Sequence, residues 1–170
     1  MKNKCYAGIG SRETPEDILK AMESAARFLG SWGYLLRSGG AKGADSAFER
    51  GCDQVEGSKH IFLPWKGFNK NQSPLWGTTK EARLLAKKYH PNWNIVSDRG
   101  RDFHARNCYQ ILGATLDKPC SFVLCWTPNG KPVGGTGQAL RIAQDYGIEI
   151  INFGSMSLEQ ISDRIQELTE

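Results

Sequence analysis

The stretch Cys5-Tyr6-Ala7-Gly8-Ile9-Gly10-Ser11-Arg12-Glu13-Thr14-Pro15-Glu16-Asp17 passes from strand to turn to helix. Cys5–Ile9 is an apolar run, the pattern of a strand buried on both faces. Gly8 to Arg12 is a turn. Thr14 is a candidate N-cap, Pro15 suits the first helical position, and Glu16 and Asp17 complement the positive helix end. Ile18, Met22, Ala25, Ala26 and Leu29 then share one helical face, and Gly30 and Gly33 supply a stop. A doubly buried strand followed by an amphipathic helix is half of a βαβ unit, which implies a parallel sheet.

The rhythm repeats along the chain. Further strands are expected at Tyr34–Arg37, His60–Leu63, Ser121–Trp126 and Glu149–Asn152, with Asn94–Ser97 as a sixth. Helical patterns cover Ala44–Cys52, Lys80–Tyr89, Asp102–Leu112 and Gln138–Tyr146, the last with Ala139, Leu140, Ile142, Ala143 and Tyr146 inward. In the final helix, Ser157 and Gln160 make a capping box before the stripe Leu158, Ile161, Ile165 and Leu168. The expected fold class is α/β, a Rossmann-like three-layer sandwich with a mainly parallel sheet of five to six strands, in one domain over 1–170. The segment Pro64–Thr79 breaks the rhythm and reads as a long surface loop, either a lid or a plain insertion.

Composition narrows the class. At 170 residues with 39% hydrophobic and 24% charged residues, the chain suits one folded, soluble domain. No apolar run approaches the roughly 20 residues of a membrane span, so no membrane partner is expected. Met1-Lys2-Asn3-Lys4 leads straight into the first strand without a secretory signal, and a cytoplasmic location is expected. Cys5, Cys52, Cys108, Cys120 and Cys125 lack the Cys-x-x-Cys spacing of a metal knuckle, so buried free thiols and no metal are expected. A net charge of +4 permits an anionic ligand or nucleic acid without demanding either.

Three glycine-rich turns carry the candidate chemistry. In Gly8-Ile9-Gly10-Ser11-Arg12, the glycines admit a phosphate, Ser11 can donate a hydrogen bond and Arg12 can pair with an oxyanion. The Gly-x-Gly-x-x-Gly dinucleotide fingerprint is broken at Glu13. In Ser38-Gly39-Gly40-Ala41-Lys42-Gly43-Ala44-Asp45, glycines and a lysine lead into a helix start, where free amides bind anions. Asp45 either caps that helix or accepts from a ribose hydroxyl. Gly134-Gly135-Thr136-Gly137-Gln138 opens a helix as a further amide nest. Arg99, Phe103, Arg106 and Asn107 fall on one helical face and can clamp a phosphate or line a solvated surface, while His104 and Arg101 point elsewhere unless the helix starts late. Trp126-Thr127 ends a strand at the same edge, where Trp126 stacks on a base or fills the rim.

The first two turns resemble the two signatures of the DNA-processing protein A (DprA/Smf) Rossmann core, in the SLOG superfamily. The chain as a whole resembles the short, single-domain DprA-like proteins of bacteriophages. Tyr89-His90-Pro91-Asn92-Trp93, His104-Ala105-Arg106-Asn107-Cys108-Tyr109-Gln110 and Gly134-Gly135-Thr136-Gly137-Gln138-Ala139 read like internal motifs of that group. The resemblance spans residues 5–153. It implies three possible activities. One is binding of a small nucleotide-derived ligand of the ADP-ribose or cyclic-nucleotide type, sequestering a host signal. The second is binding of single-stranded DNA as a recombination mediator. The third is the phosphoribohydrolase activity of the superfamily's "lonely guy" enzymes. Those hydrolases follow their glycine turn with a glutamate pair, and here Leu140 and Arg141 stand at those positions, so the expectation leans away from catalysis. Asp45, Glu13 and His104 are the remaining acid–base candidates. No cofactor beyond the nucleotide-type ligand is expected. Homo-oligomers, paired through Lys80–Tyr89 and Asp102–Leu112, are expected from the resemblance.

Overall fold

The computed structural model describes residues 3–170. The N-terminal reading therefore falls partly outside the described residues, at Met1 and Lys2. Five strands form one all-parallel sheet: β1 Cys5–Gly8, β2 Leu35–Ser38, β3 Lys59–Ile61, β4 Phe122–Cys125 and β5 Glu149–Asn152. Their order is β3-β2-β1-β4-β5. Six helices connect and flank them: α1 Glu16–Ser31, α2 Ala44–Gln54, α3 Lys80–Tyr89, α4 Asp98–Leu112, α5 Gly134–Asp145 and α6 Leu158–Thr169.

Alternation along the strands creates the three layers. Tyr6, Leu36, Phe122, Leu124 and Ile151 face one side and pack with Met22, Ala26, Leu29, Phe48, Ile161 and Ile165 of α1, α2 and α6. Cys5, Ala7, Val123 and Cys125 face the other and pack with Ala86, Cys108, Ile111, Leu112, Leu140 and Ile142 of α3, α4 and α5. All five cysteines are free and buried. No helix among the described residues is long and apolar enough to cross a membrane.

Several sequence expectations need correction. Asn94–Ser97 is not a strand. Trp93–Ile95 is a single tight turn, with Ile95 N donating to Asn92 O at 3.2 Å and Val96 N to Trp93 O at 3.0 Å. Trp93 is buried beneath the Arg101 guanidinium and Ile95 is 84% exposed, so no sheet edge is there to pair. Thr14 does not cap α1. Its hydroxyl donates to Ser11 O at 2.6 Å, and Pro15 stands at the cap position. The fourth helix starts at Asp98 rather than Asp102, because Ser97 Oγ accepts from Gly100 N at 3.1 Å. Tyr146 is exposed, not inward, since α5 stops at Asp145 and Gly147 turns the chain at φ 67°. In α6 the capping box is present, but Leu158 is exposed.

Pro64–Thr79 is tied down. Leu63 N donates to Leu75 O at 2.8 Å and Gly77 N to Leu63 O at 3.0 Å, pairing the loop with its own start. Asn69 Nδ2 donates to Gly40 O at 3.0 Å and Ser73 Oγ to Ile61 O at 2.6 Å. The pair of helices expected to hold an oligomer interface pack on each other, and α4 is buried within the chain from Ala105 to Leu112.

Candidate functional site

The sheet order reverses between β1 and β4. The loops leaving the carboxyl ends of those two strands therefore splay to opposite faces and leave a crevice, where α/β sheets of this kind take ligands. A cleft of about 640 Å³ sits at this point. Gly10, Ser11 and Arg12 line it from the first turn, Ala41 and Asp45 from the second, and Gly134, Gly135 and Thr136 from the third. Thr127 and Pro128 follow β4 into it, and Phe103, His104, Arg106, Asn107 and Gln110 enter from α4.

The first two turns touch each other through main chain. Gly43 has φ +86°, and a Cβ there would lie 2.7 Å from Arg12 Cα and 2.8 Å from Ser11 O. Only glycine fits both the backbone angle and the contact. Ser11 is the hub of the first turn. Its carbonyl accepts from Thr14 N and Ala44 N, and its Oγ accepts from Glu13 N at 2.9 Å, which leaves the hydroxyl proton to offer. Arg12 is exposed at the rim.

The second turn is organised around its own carboxylate. Asp45 Oδ2 accepts from Ala41 N at 3.2 Å, and Ser46 N donates to Ala41 O. Burial pushes the Asp45 carboxyl up to about 6, against the opposing pull of Arg106. Asp45 does not cap the helix, whose cap position is Gly43; it lies inside α2, closes the preceding turn through Ala41 N, and also lines the cleft.

Arg106 is buried and bridges the layers. Its Nε donates to Asn107 Oδ1 at 3.1 Å, and its Nη1 donates to Gly39 O and to Phe62 O. Phe68 and Phe103 flank the guanidinium, with ring centroids 5.7 and 5.6 Å away. A Cβ on Gly39 would sit 2.5 Å from Arg106 Nη1, so this glycine makes room for the arginine. Burial lowers the Arg106 pKa, and Asp45 partly offsets that. The two charges share no direct ion pair among the described residues. Nη2 makes none of these bonds.

Asn107 is fully engaged. Its amide donates to Gly135 O and Gln138 Oε1, both at 3.1 Å, and its carbonyl accepts from Arg106 and Gln110. An asparagine with both donors and its acceptor in use has little left for a base. Asn107 instead fixes the start of α5, whose first amides have no intrahelical partner. Thr127 is similarly locked, accepting from Asn152 Nδ2 at 2.8 Å.

Of the acid–base candidates, Glu13 and His104 also line the cleft. His104 was expected to point elsewhere, but it lies one helical turn from Gly100 and from Asn107, and all three line the cleft. Its ring meets His90 at 4.5 Å and its Nδ1 is buried without a partner. Burial, then the neighbouring His90, lowers its pKa below the ordinary value, which keeps it neutral at pH 7. Leu140 is buried in the core, and Arg141 donates to Tyr89 O and Pro132 O.

Other expected residues stand behind the site. Gly8 is in β1, where Ser38 Oγ donates to its carbonyl at 2.6 Å. Gly40 packs on Leu63, Gly137 on Pro132, and Trp126 against the α1/α2 core. Gln138 is buried beside Asn107. Lys42 is exposed beside the second turn. Arg99 leaves the cleft and lies 4.7 Å over the Trp65 ring. Phe68 and Gln110 line the cleft unforeseen. A second cavity of about 420 Å³ between α1 and α6 has no charged lining residue, so it offers nothing to a phosphate.

No protein-family model matches the sequence, and no curated protein matches it. Solved structures do. DNA processing protein A from Helicobacter pylori, described for its single-stranded DNA binding mode, superposes with a TM-score of 0.58 at 17% identity. That match covers 89% of this chain and 65% of the other. DNA processing protein A from Streptococcus pneumoniae gives 0.57 at 20% identity, covering 98% of this chain and 56% of the other. The chain thus spans less than two thirds of either structure it matches. Five parallel strands in the order found, with helices on both faces and the crevice at the reversal, give this chain a DprA-like, Rossmann-type fold.

Proposed function

We propose that the cleft binds the phosphate and sugar of a nucleotide, and that the nucleotide belongs to single-stranded DNA. The observation that carries this is Arg106: a buried guanidinium lines the cleft without a carboxylate in direct contact. A buried cation without an ion-pair partner is costly unless an anion completes it. The amides opening α5 and the Ser11 hydroxyl add neutral donors suited to phosphate oxygens. Exposed Arg12 and Lys42 supply positive charge at the rim. The likeness to a protein described by its single-stranded DNA binding supports the polymer over the monomer.

Fluorescence anisotropy with a labelled oligothymidylate tests this. Arg12 is exposed and its guanidinium has no hydrogen-bond or ion-pair partner among the described residues, so Arg12→Ala weakens binding about 5- to 20-fold while leaving the melting temperature unchanged. No binding by the wild-type protein at low salt would sink the reading.

A second reading has its own support. At about 640 Å³ the cleft falls within the usual range of small-molecule sites, about 300–1,000 Å³. A free ligand of the ADP-ribose or cyclic-nucleotide type would fill it. Calorimetry against such nucleotides, alongside the oligonucleotide, separates the two.

A further inference from the structure

We propose that the shallow groove beside the cleft, between Pro64–Lys66 and Trp76–Arg83, is a second nucleic-acid subsite where a base of the same strand stacks on Trp76. The proposal rests on the single-stranded DNA reading and extends it.

The groove is lined by Pro64, Trp65, Lys66, Trp76, Thr78 and Lys80, among others. Trp76 is 52% exposed, and its ring meets no other aromatic among the described residues. An exposed tryptophan is commonly mobile, but this one is anchored. It pairs in a bridge with Leu63, and the backbone bonds of Leu75 and Gly77 to Leu63 clamp it on both sides. With its backbone already fixed, the ring has only its two side-chain torsions to lose when a base stacks on it.

Charge suits the same occupant. Lys66 and Lys80 are exposed and have no ion-pair or hydrogen-bond partner among the described residues. The groove's carboxylate, Asp102, is already neutralised by Arg83 at 2.7 Å and bonded by Thr78 at 2.9 Å. What remains is a net positive rim around an aromatic face, the pattern of sequence-tolerant single-strand binding.

The groove is continuous with the cleft. Phe68 and Phe103 line the cleft, Trp65 lines the groove, and the three rings interlock edge to face at 5.1 to 5.4 Å. One aromatic ridge therefore separates the two sites. A chain with its phosphate at Arg106 crosses that ridge to reach Trp76. A free mononucleotide stays on the cleft side.

The experiment compares wild type, Trp76→Ala, Trp76→Phe and the double variant Lys66→Ala/Lys80→Ala against labelled thymidylates of three and twenty nucleotides, and against a duplex. Trp76→Ala should weaken the long oligonucleotide about 5- to 50-fold, leave the trinucleotide and duplex unchanged, and be largely rescued by phenylalanine. The lysine double variant should lose affinity for the long strand and flatten its salt slope together, by about 0.7 for each lysine that meets a phosphate. Unchanged affinity of Trp76→Ala for the long strand, with wild-type binding intact, overturns the groove subsite alone. No binding of either strand by wild type overturns the cleft reading and the groove with it. Circular dichroism melts of each variant report folding separately.

Discussion

Asp45 is a carboxylate sealed beneath the start of a helix, and it stays protonated further up the pH scale than an ordinary aspartate. An unfolded aspartate titrates near about 3.9. Between that value and about 6 the folded chain keeps a proton that the unfolded chain has released. Raising the pH through this window therefore lowers stability, and the contribution is lost by the time the folded pKa is passed. The full difference is on the order of 3 kcal/mol, at about 1.4 kcal/mol per pKa unit. Asp45→Asn removes that dependence while keeping an acceptor for Ala41 N. Urea melts between pH 4 and 7 should show the variant gaining on wild type by about that amount as pH rises. A difference that stays constant across the range would mean that Asp45 is ionised throughout.

At the scale of elements, the contact between the first two turns carries the geometry. Gly43→Ala forces a side chain into the Arg12 backbone at an angle that disfavours any Cβ. Strain and clash together should cost about 2–4 kcal/mol and lower Tm by roughly 5–15 °C. Gly135→Ala is the control, because nothing lies within 4 Å of a Cβ there, and its Tm should stay within a degree or two. The same scale separates what the sequence reveals from what it hides. β1 and β4 are legible because continuous apolar runs are how doubly buried strands are written. β3 is an edge strand with Lys59 and His60 exposed, and only its apolar tail marks it. The glycine turns are legible because main-chain contact demands glycine. Phe68 and Gln110 are not, since tertiary packing alone brings a loop and a helix interior to the cleft. His104 enters the cleft as well because the cleft takes in more of α4 than the one face of Phe103, Arg106 and Asn107. At about 100° per residue, His104 stands about 60° from Asn107 and about 40° from Gly100 around the helix, close enough to share a wide cleft with both.

For the whole molecule, affinity is limited by how little charge is gathered in one place. The net charge is +4, and the cations of the cleft, the second turn and the groove that have no ion pair among the described residues are Arg12, Lys42, Lys66, Lys80 and Arg106; Arg83 is spent on Asp98 and Asp102. A strand contacting three or four of them releases few counterions. The plot of log affinity against log salt should have a slope of about −2 to −3, at about −0.7 per neutralised phosphate. A slope steeper than about −5 would point to a larger basic surface than the one described.

The five buried thiols make this chain a slow-reacting background for chemical labelling. A reagent reaches them only when the surrounding layers open, and for a domain of ordinary stability that open fraction is on the order of one in 10⁴ or less. Burial also holds the Cys125 thiol up at about 12, so little thiolate exists even in passing. A single cysteine placed at the rim of the cleft would therefore take up a fluorophore ahead of every native one. The untouched chain is thereby a ready scaffold for watching a strand arrive, and its own sulfur chemistry serves as a clock for how often the sandwich comes apart.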